Sequence, residues 1–255
     1  MNNQSHSQNY FRMSEVIIPY DDLIKYVETT LGTNTIPMRP IHCVVYGSHV
    51  YGTATSDSDY DIYCIVESSG DSMNQFTASI TIDIHNTDSK IDLTIRSIDI
   101  FMKDIKSGHP LAYEILFSPQ KFKLIQSEEI NQYMDSMNVI NNSEIKKQIR
   151  HGFSEKASWS EVRARKKLAD GEILCALKSL YHSYRILGFG IQIGIYGKIV
   201  DWECGKEYLK ELLSLDPRML DDQCMRMSYK KWARTGCIEC KKDSIQTQFK
   251  NILPK

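Results

Sequence analysis

The residues of this chain whose types and spacing could do chemistry crowd into one stretch, Val44 to Val66, VVYGSHVYGTATSDSDYDIYCIV, and a shorter one, IDLTI, at residues 91–95. Asp59 and Asp61 open an apolar, β-branched run. Side chains alternate along a strand, so these two carboxylates point to the same side, roughly 6–7 Å apart. A third, Asp92, lies inside IDLTI and can join them if that strand pairs beside residues 60–66. Such hard oxygen donors suit Mg²⁺ or Mn²⁺ held in an incomplete protein shell. Three carboxylates packed together repel one another. Two ions roughly 3.5–4 Å apart would neutralise them and clamp the attacking and leaving oxygens of a phosphoryl transfer.

Upstream, a strand ends in Gly47 and Ser48. Glycine lets the backbone approach a phosphate closely. The serine hydroxyl and neighbouring backbone N–H groups can donate to the triphosphate of an NTP. An isolated Asp-x-Asp is most often a solvated turn, and an isolated Gly-Ser says less. The ordered set, Gly-Ser at a strand end, a fixed gap, Asp-x-Asp opening a second strand and Asp on a third, is far more specific.

The elements that must position these groups are short. Residues 41–47 and 60–66 are apolar β-branched runs. Residues 80–85 and 91–95 alternate with period two around a turn-forming stretch at 86–90, and 67–79 reads as a loop. Downstream the pattern turns helical. A capped helix begins at Ser97, short helices fall at 109–117 and 128–137, and a long one covers 143–169. Another runs from about 171 to 187 and stops at Gly188 and Gly190. The run Ile186 to Val200 is too short and polar for a membrane span and reads as a helix end followed by a loop or hairpin. The expected fold is α+β: a small mixed sheet with flanking helices over residues 1–120, then a helical half over 121–255.

Composition bounds the rest. With 255 residues, 42% hydrophobic and 25% charged, the chain can bury a core unaided. A formal net charge of −1 gives no global pull toward nucleic acid, so any phosphate-binding surface is local. Between Glu144 and Arg185, ten Lys/Arg outnumber five Asp/Glu. The seven cysteines, Cys43, Cys64, Cys175, Cys204, Cys224, Cys237 and Cys240, are odd in number and scattered. They do not read as a disulfide framework, and the expectation is a reduced, cytoplasmic chain. Cys237 and Cys240 form a CxxC with no matching second pair, which argues against zinc. Residues 1–13 carry no apolar signal core. Trp159, Trp202 and Trp232 read as packing residues, and Arg163, Arg165, Lys166 and Lys167 as a solvated helix face.

The segment resembles the signature of the polymerase β nucleotidyltransferase superfamily. Its fuller form, GSHVYGTATSDSDYD, is similar to the RlaP and YcgL-like nucleotidyltransferase branch, with Gly47, Ser48, Tyr51, Gly52, Thr53, Ser58, Asp59 and Asp61 matching without a gap. The resemblance continues more weakly into 178–199, KSLYHSYRIL and then YGKIV. It implies a nucleotidyltransferase core in which Asp59, Asp61 and Asp92 hold two Mg²⁺ or Mn²⁺ ions. Gly47, Ser48 and Ser58 would bind the NTP. Lys178, His182 and Arg185 fall at i, i+4 and i+7 on one helix face. Such a stripe is ordinarily a solvated side, with Leu177, Leu180, Tyr184 and Leu187 on the apolar one. The resemblance aims it instead at triphosphate or acceptor phosphates. The implied reaction moves a nucleoside monophosphate to an acceptor hydroxyl with release of pyrophosphate, the acceptor being an RNA end. A protein or small-molecule acceptor, or a catalytically silent nucleotide- or RNA-binding module, are the alternatives.

Overall fold

The computed structural model describes residues 25, 29, 38–55, 58–68, 77–83, 90–128, 130–132, 142–214 and 238–253. Residues 1–13, Cys224, Trp232 and Cys237, and most of the helix expected at 128–137, lie outside them. The described residues form two compact units, one from 1–106 and 111–138, the other from 107–110 and 139–255. The fold is α+β.

The first unit is a five-stranded sheet. Its strands are β1 (Met38–Tyr46), β2 (Tyr60–Ser68), β3 (Thr77–Asp83), β4 (Lys90–Ser97) and β5 (Lys123–Gln126), in the order β3-β4-β2-β1-β5. β2 and β4 run parallel while the other neighbours are antiparallel, which makes the sheet mixed. The central strand β2 is buried continuously from Ile62 to Val66, as a strand covered on both faces must be. β4 alternates instead: Ile91, Leu93 and Ile95 are fully buried, while Asp92, Thr94 and Arg96 turn the other way. Helix α1 (Ile98–Lys106) follows at once and packs Phe101 and Ile105, and α2 (Pro110–Leu116) begins on proline, whose fixed φ suits a first helical position.

Two sequence expectations need correction here. β5, only four residues long and without alternation, extends the sheet past residue 120. Cys43 and Cys64 are register partners across β1 and β2, with Cα atoms 4.2 Å apart, and are joined as a disulfide. Their separation along the chain gave no hint of this. The antiparallel register brings them together at the close spacing of a directly opposed pair.

The second unit is helical: α3 (Ser143–Ala169), α4 (Ile173–Tyr196), α5 (Lys206–Leu213) and α6 (Ile238–Ile252). Asn142 caps α3, its side chain accepting from the Glu144 and Ile145 N–H groups. α4 does not stop at Gly188 and Gly190, as the sequence pattern suggests. It runs on to Tyr196 and ends at Gly197, whose φ of 70° supplies the left-handed cap. The internal glycines make room. A Cβ at Gly190 would lie 2.4 Å from the Phe249 ring of α6, and one at Gly194 would lie 2.7 Å from Ile252. Packing gains there outweigh the roughly 1 kcal/mol helix penalty of a glycine. Gln192 then holds the returning chain, accepting from Val200 N and Asp201 N and donating to Asp201 O. Among the described residues no helix is long and apolar enough to cross a membrane.

A second glycine contact ties the short segment 107–110 to α3. Gly108, at φ 75°, lies so close that a Cβ there would meet Gln148 O at 1.9 Å, and a Cβ at Gly152 would meet Gly108 O at 2.1 Å. In Gly152→Ala the helix-propensity gain of about 1 kcal/mol opposes an overlap with backbone that cannot rotate away. The overlap costs about 1–3 kcal/mol, so the variant is expected to lose up to about 2 kcal/mol net. Denaturant unfolding checks this, and a midpoint at or above that of the parent refutes the close approach.

Candidate active site

A row of side chains crosses the sheet where β2 begins. Tyr46 of β1 is the register partner of Asp61, Asp61 of Asp92, and Asp92 of Thr81. Partners in register share a face of the sheet, so all four side chains point the same way. Thr81 Oγ1 donates to Asp92 Oδ1 at 2.8 Å. Asp59, two residues before Asp61 and exposed, accepts the Lys90 N–H at 2.9 Å through Oδ1. The carboxylate of Asp61 is half-buried. Burial first, and then the charges of Asp92 and Asp59, push its pKa from 3.8 up to about 6. Tyr46 is pushed up to about 12 by burial and by Asp61, against a hydrogen bond from Thr94. It therefore stays a protonated phenol beside the carboxylates.

The turn after β1 is built around that carboxylate. Gly47 has φ 76°, and a Cβ there would lie 2.0 Å from Asp61 Oδ2. Glycine is required twice over, by the backbone angle and by the carboxylate that fills the side-chain space. Gly47–His49 form one 3-10 turn, with Gly47 O accepting from Val50 N and Tyr51 N, and Ser48 O from Thr53 N. Ser58, expected at the nucleotide, also organises the loop: its hydroxyl accepts from Thr55 N at 2.8 Å. His49 stacks on Tyr60 with ring centroids 4.2 Å apart, and burial lowers its pKa.

One residue that sequence reasoning missed is Glu114 of α2. It is 4% exposed, and its Oε2 accepts the Tyr51 hydroxyl of the Tyr-Gly-Thr motif. This bond anchors the glycine turn to α2. The only signal was a lone carboxylate inside PLAYEIL, a segment otherwise apolar.

Lys178, His182 and Arg185 lie on α4, in the helical unit. Arg185 is not on a solvated stripe. It is 4% exposed, its guanidinium stands 4.9 Å from the centroid of the Phe189 ring, and its Nη2 lies 3.3 Å from His182 Nδ1. The His182 ring keeps an exposed edge. Close packing, and then the cations Arg185, Arg163, Lys156 and Lys178, push its pKa down to about 3. A neutral imidazole amid four cations marks a local positive field of the kind that attracts anions.

The donor set of the first unit fits a divalent cation. Asp61 and Asp92 stand side by side, and both the burial and the neighbouring charges that raise the Asp61 pKa would be offset by bound positive charge. Among the described residues no three His, Cys, Asp or Glu side chains already converge as a coordination shell. Asp59, whose Oδ1 accepts the Lys90 N–H, would supply the third carboxylate.

The family model RlaP, described as the RNA repair pathway DNA polymerase beta family, matches residues 26–203. A crystal structure of a nucleotidyltransferase-like protein from Exiguobacterium sibiricum 255-15 is similar at 9% identity, over 92% of this chain and 74% of that chain, with a TM-score of 0.35. No curated protein matches.

The Asp61 pKa has a consequence for stability. The folded value of about 6 exceeds the ordinary 3.8, so folding favours the protonated carboxyl. Stability is therefore lost as pH rises from about 4 to about 6, by up to about 3 kcal/mol at 1.4 kcal/mol per pH unit. In chelator, Asp61→Asn is expected to raise the melting temperature at pH 7 and flatten its decline across that window. An unchanged pH profile in the variant refutes the crowding.

Proposed function

The chain belongs to RlaP, the RNA repair pathway DNA polymerase beta family, and from that footing we propose that it moves a nucleoside monophosphate from an NTP to a hydroxyl at an RNA end. It is a nucleotidyltransferase of the polymerase β type. The observation that carries the finer reading is the packing of the Asp61 carboxylate against Gly47, with Asp92 as its register neighbour. That contact joins the phosphate-approach turn to the acidic pair at a single point.

In this reading the Gly47–Ser48 turn seats the triphosphate, and the Ser48 hydroxyl donates to it. Ser58 holds the loop that carries Asp59 into place. Asp59, Asp61 and Asp92 provide the oxygens for two Mg²⁺ or Mn²⁺ ions. Bound there, the ions supply positive charge to the triphosphate and lower the pKa of the acceptor hydroxyl. The acceptor oxygen forms a bond to the α-phosphorus, the bond from that phosphorus to the α–β bridging oxygen breaks, and pyrophosphate leaves. Thr81 fixes Oδ1 of Asp92, so we assign Oδ2 to take the acceptor proton. Tyr46, protonated throughout, adds no further negative charge to the row. The sheet unit would carry the catalytic groups, and Lys178, His182 and Arg185 of the helical unit would bind phosphate.

The test is incubation with labelled NTPs, Mg²⁺ or Mn²⁺, and separate RNA and protein pools. Label on RNA is expected. Label on protein instead moves the acceptor to a protein hydroxyl, and no label in either pool leaves a binding module. Asp61→Asn should abolish labelling without loss of fold, and retained labelling rules out this site. Gly47→Ala should lower turnover about a hundredfold, the scale of an ångström-level misplacement. Near-parental activity would show that the glycine contact is dispensable.

A further inference from the structure

The helical unit carries a cleft that the catalytic row does not use. It measures about 540 Å³ and lies along α3, lined among others by His109, Pro110, His151, Glu155, Lys156 and Trp159. This size falls within the roughly 300–1,000 Å³ of small-molecule sites. The glycine contact between Gly108 and Gly152 sets its depth, because it brings the 107–110 backbone onto α3 with no side chain between. His109 and Pro110 thus form one wall, and the α3 side chains the other.

Trp159 is 66% exposed. An indole left in water at the mouth of a cleft is an unusual use of the largest apolar side chain, and its planar face suits stacking. Lys156 lies three residues before it, one helical turn along the same side. Lys156 is also among the cations that hold down the His182 pKa, so the cleft borders the positive field described above. A second groove of about 430 Å³ shares His151 and Glu155 with the cleft and adds Lys147 and Arg150. Cations therefore line α3 on both sides of one aromatic ring. Glu155 lies 4.0 Å from His151, and can accept an exocyclic N–H of a base.

We propose that this cleft is a subsite for an unpaired base of single-stranded RNA, stacked on Trp159, with a flanking phosphate on Lys156 and the strand continuing toward Lys147 of the adjoining groove. Aromatic stacking and backbone cations in alternation are the recurrent chemistry of single-strand binding. The proposal rests on the RNA-acceptor reading above and names where that acceptor is gripped.

The test titrates fluorescein-labelled pentaadenylate RNA with the full chain and follows its anisotropy in parent and variants, with tryptophan fluorescence as a second signal in the parent. Quenching is expected. Trp159→Ala should weaken binding at least about fivefold, the lower end of what one stacked base contributes, and Trp159→Phe should restore most of it. Lys156→Ala should reduce the slope of log affinity against log salt by about one. Equal affinity of the parent and Trp159→Ala overturns the subsite, as does a tryptophan signal that follows protein concentration and ignores the RNA, which would assign the cleft to a second copy of the chain. If RNA is labelled but Trp159→Ala binds it normally, the subsite fails and the transferase stands. If Trp159→Ala loses oligonucleotide affinity in a chain that labels no RNA, the subsite stands and the RNA-directed transfer fails.

Discussion

The contact between the Asp61 carboxylate and the empty side-chain position of Gly47 is the constraint on which the rest of the site depends. It couples two strands that are antiparallel neighbours to one backbone angle that only glycine adopts readily. The parallel pairing of β2 with β4 then brings Asp92 alongside. Neither pairing alone makes the acidic row. β1 supplies the turn, β4 supplies the second carboxylate, and β2, buried along its length, cannot slip by one residue without turning its charged side chain into the core.

Electrostatics and packing oppose each other at this point. Burial, and then the charges of Asp92 and Asp59, raise the Asp61 pKa toward neutrality, a cost that a bound cation would relieve. The surrounding bonds are arranged to hold the cost in place. Thr81 holds Asp92, Lys90 holds Asp59 through its backbone, and the Tyr51–Glu114 bond ties the turn to α2. Groups fixed in advance need little reorganisation when charge develops, which is the means by which polar sites stabilise transition states.

Much of this was legible in the sequence, for identifiable reasons. Strong period-two and β-branched patterns located β1, β2 and β4, and the spacing of Asp59 and Asp61 gave their shared face. The unbroken helical pattern located α3. The rest failed where local signals are weak or tertiary contacts override them. β5 is too short to show a period. Gly188 and Gly190 resemble a helix stop, yet α4 continues because α6 needs the space. Arg185 sits at a spacing that reads as solvated, yet its guanidinium is buried near the Phe189 ring. The Cys43–Cys64 pair and the Tyr51–Glu114 bond join residues 21 and 63 positions apart, and only register or helix placement brings such residues together.

The glycine-spaced seam between α4 and α6 also bears on the order of assembly. Phe249 and Leu253 are fully buried, and Arg150 of α3 donates to the Leu253 carbonyl across 103 residues of chain. Every strand of the sheet, by contrast, lies before residue 127. During synthesis the sheet has all its partners long before the helices have theirs. The helical unit must wait, its apolar seam open to chaperones or to aggregation, until α6 leaves the ribosome.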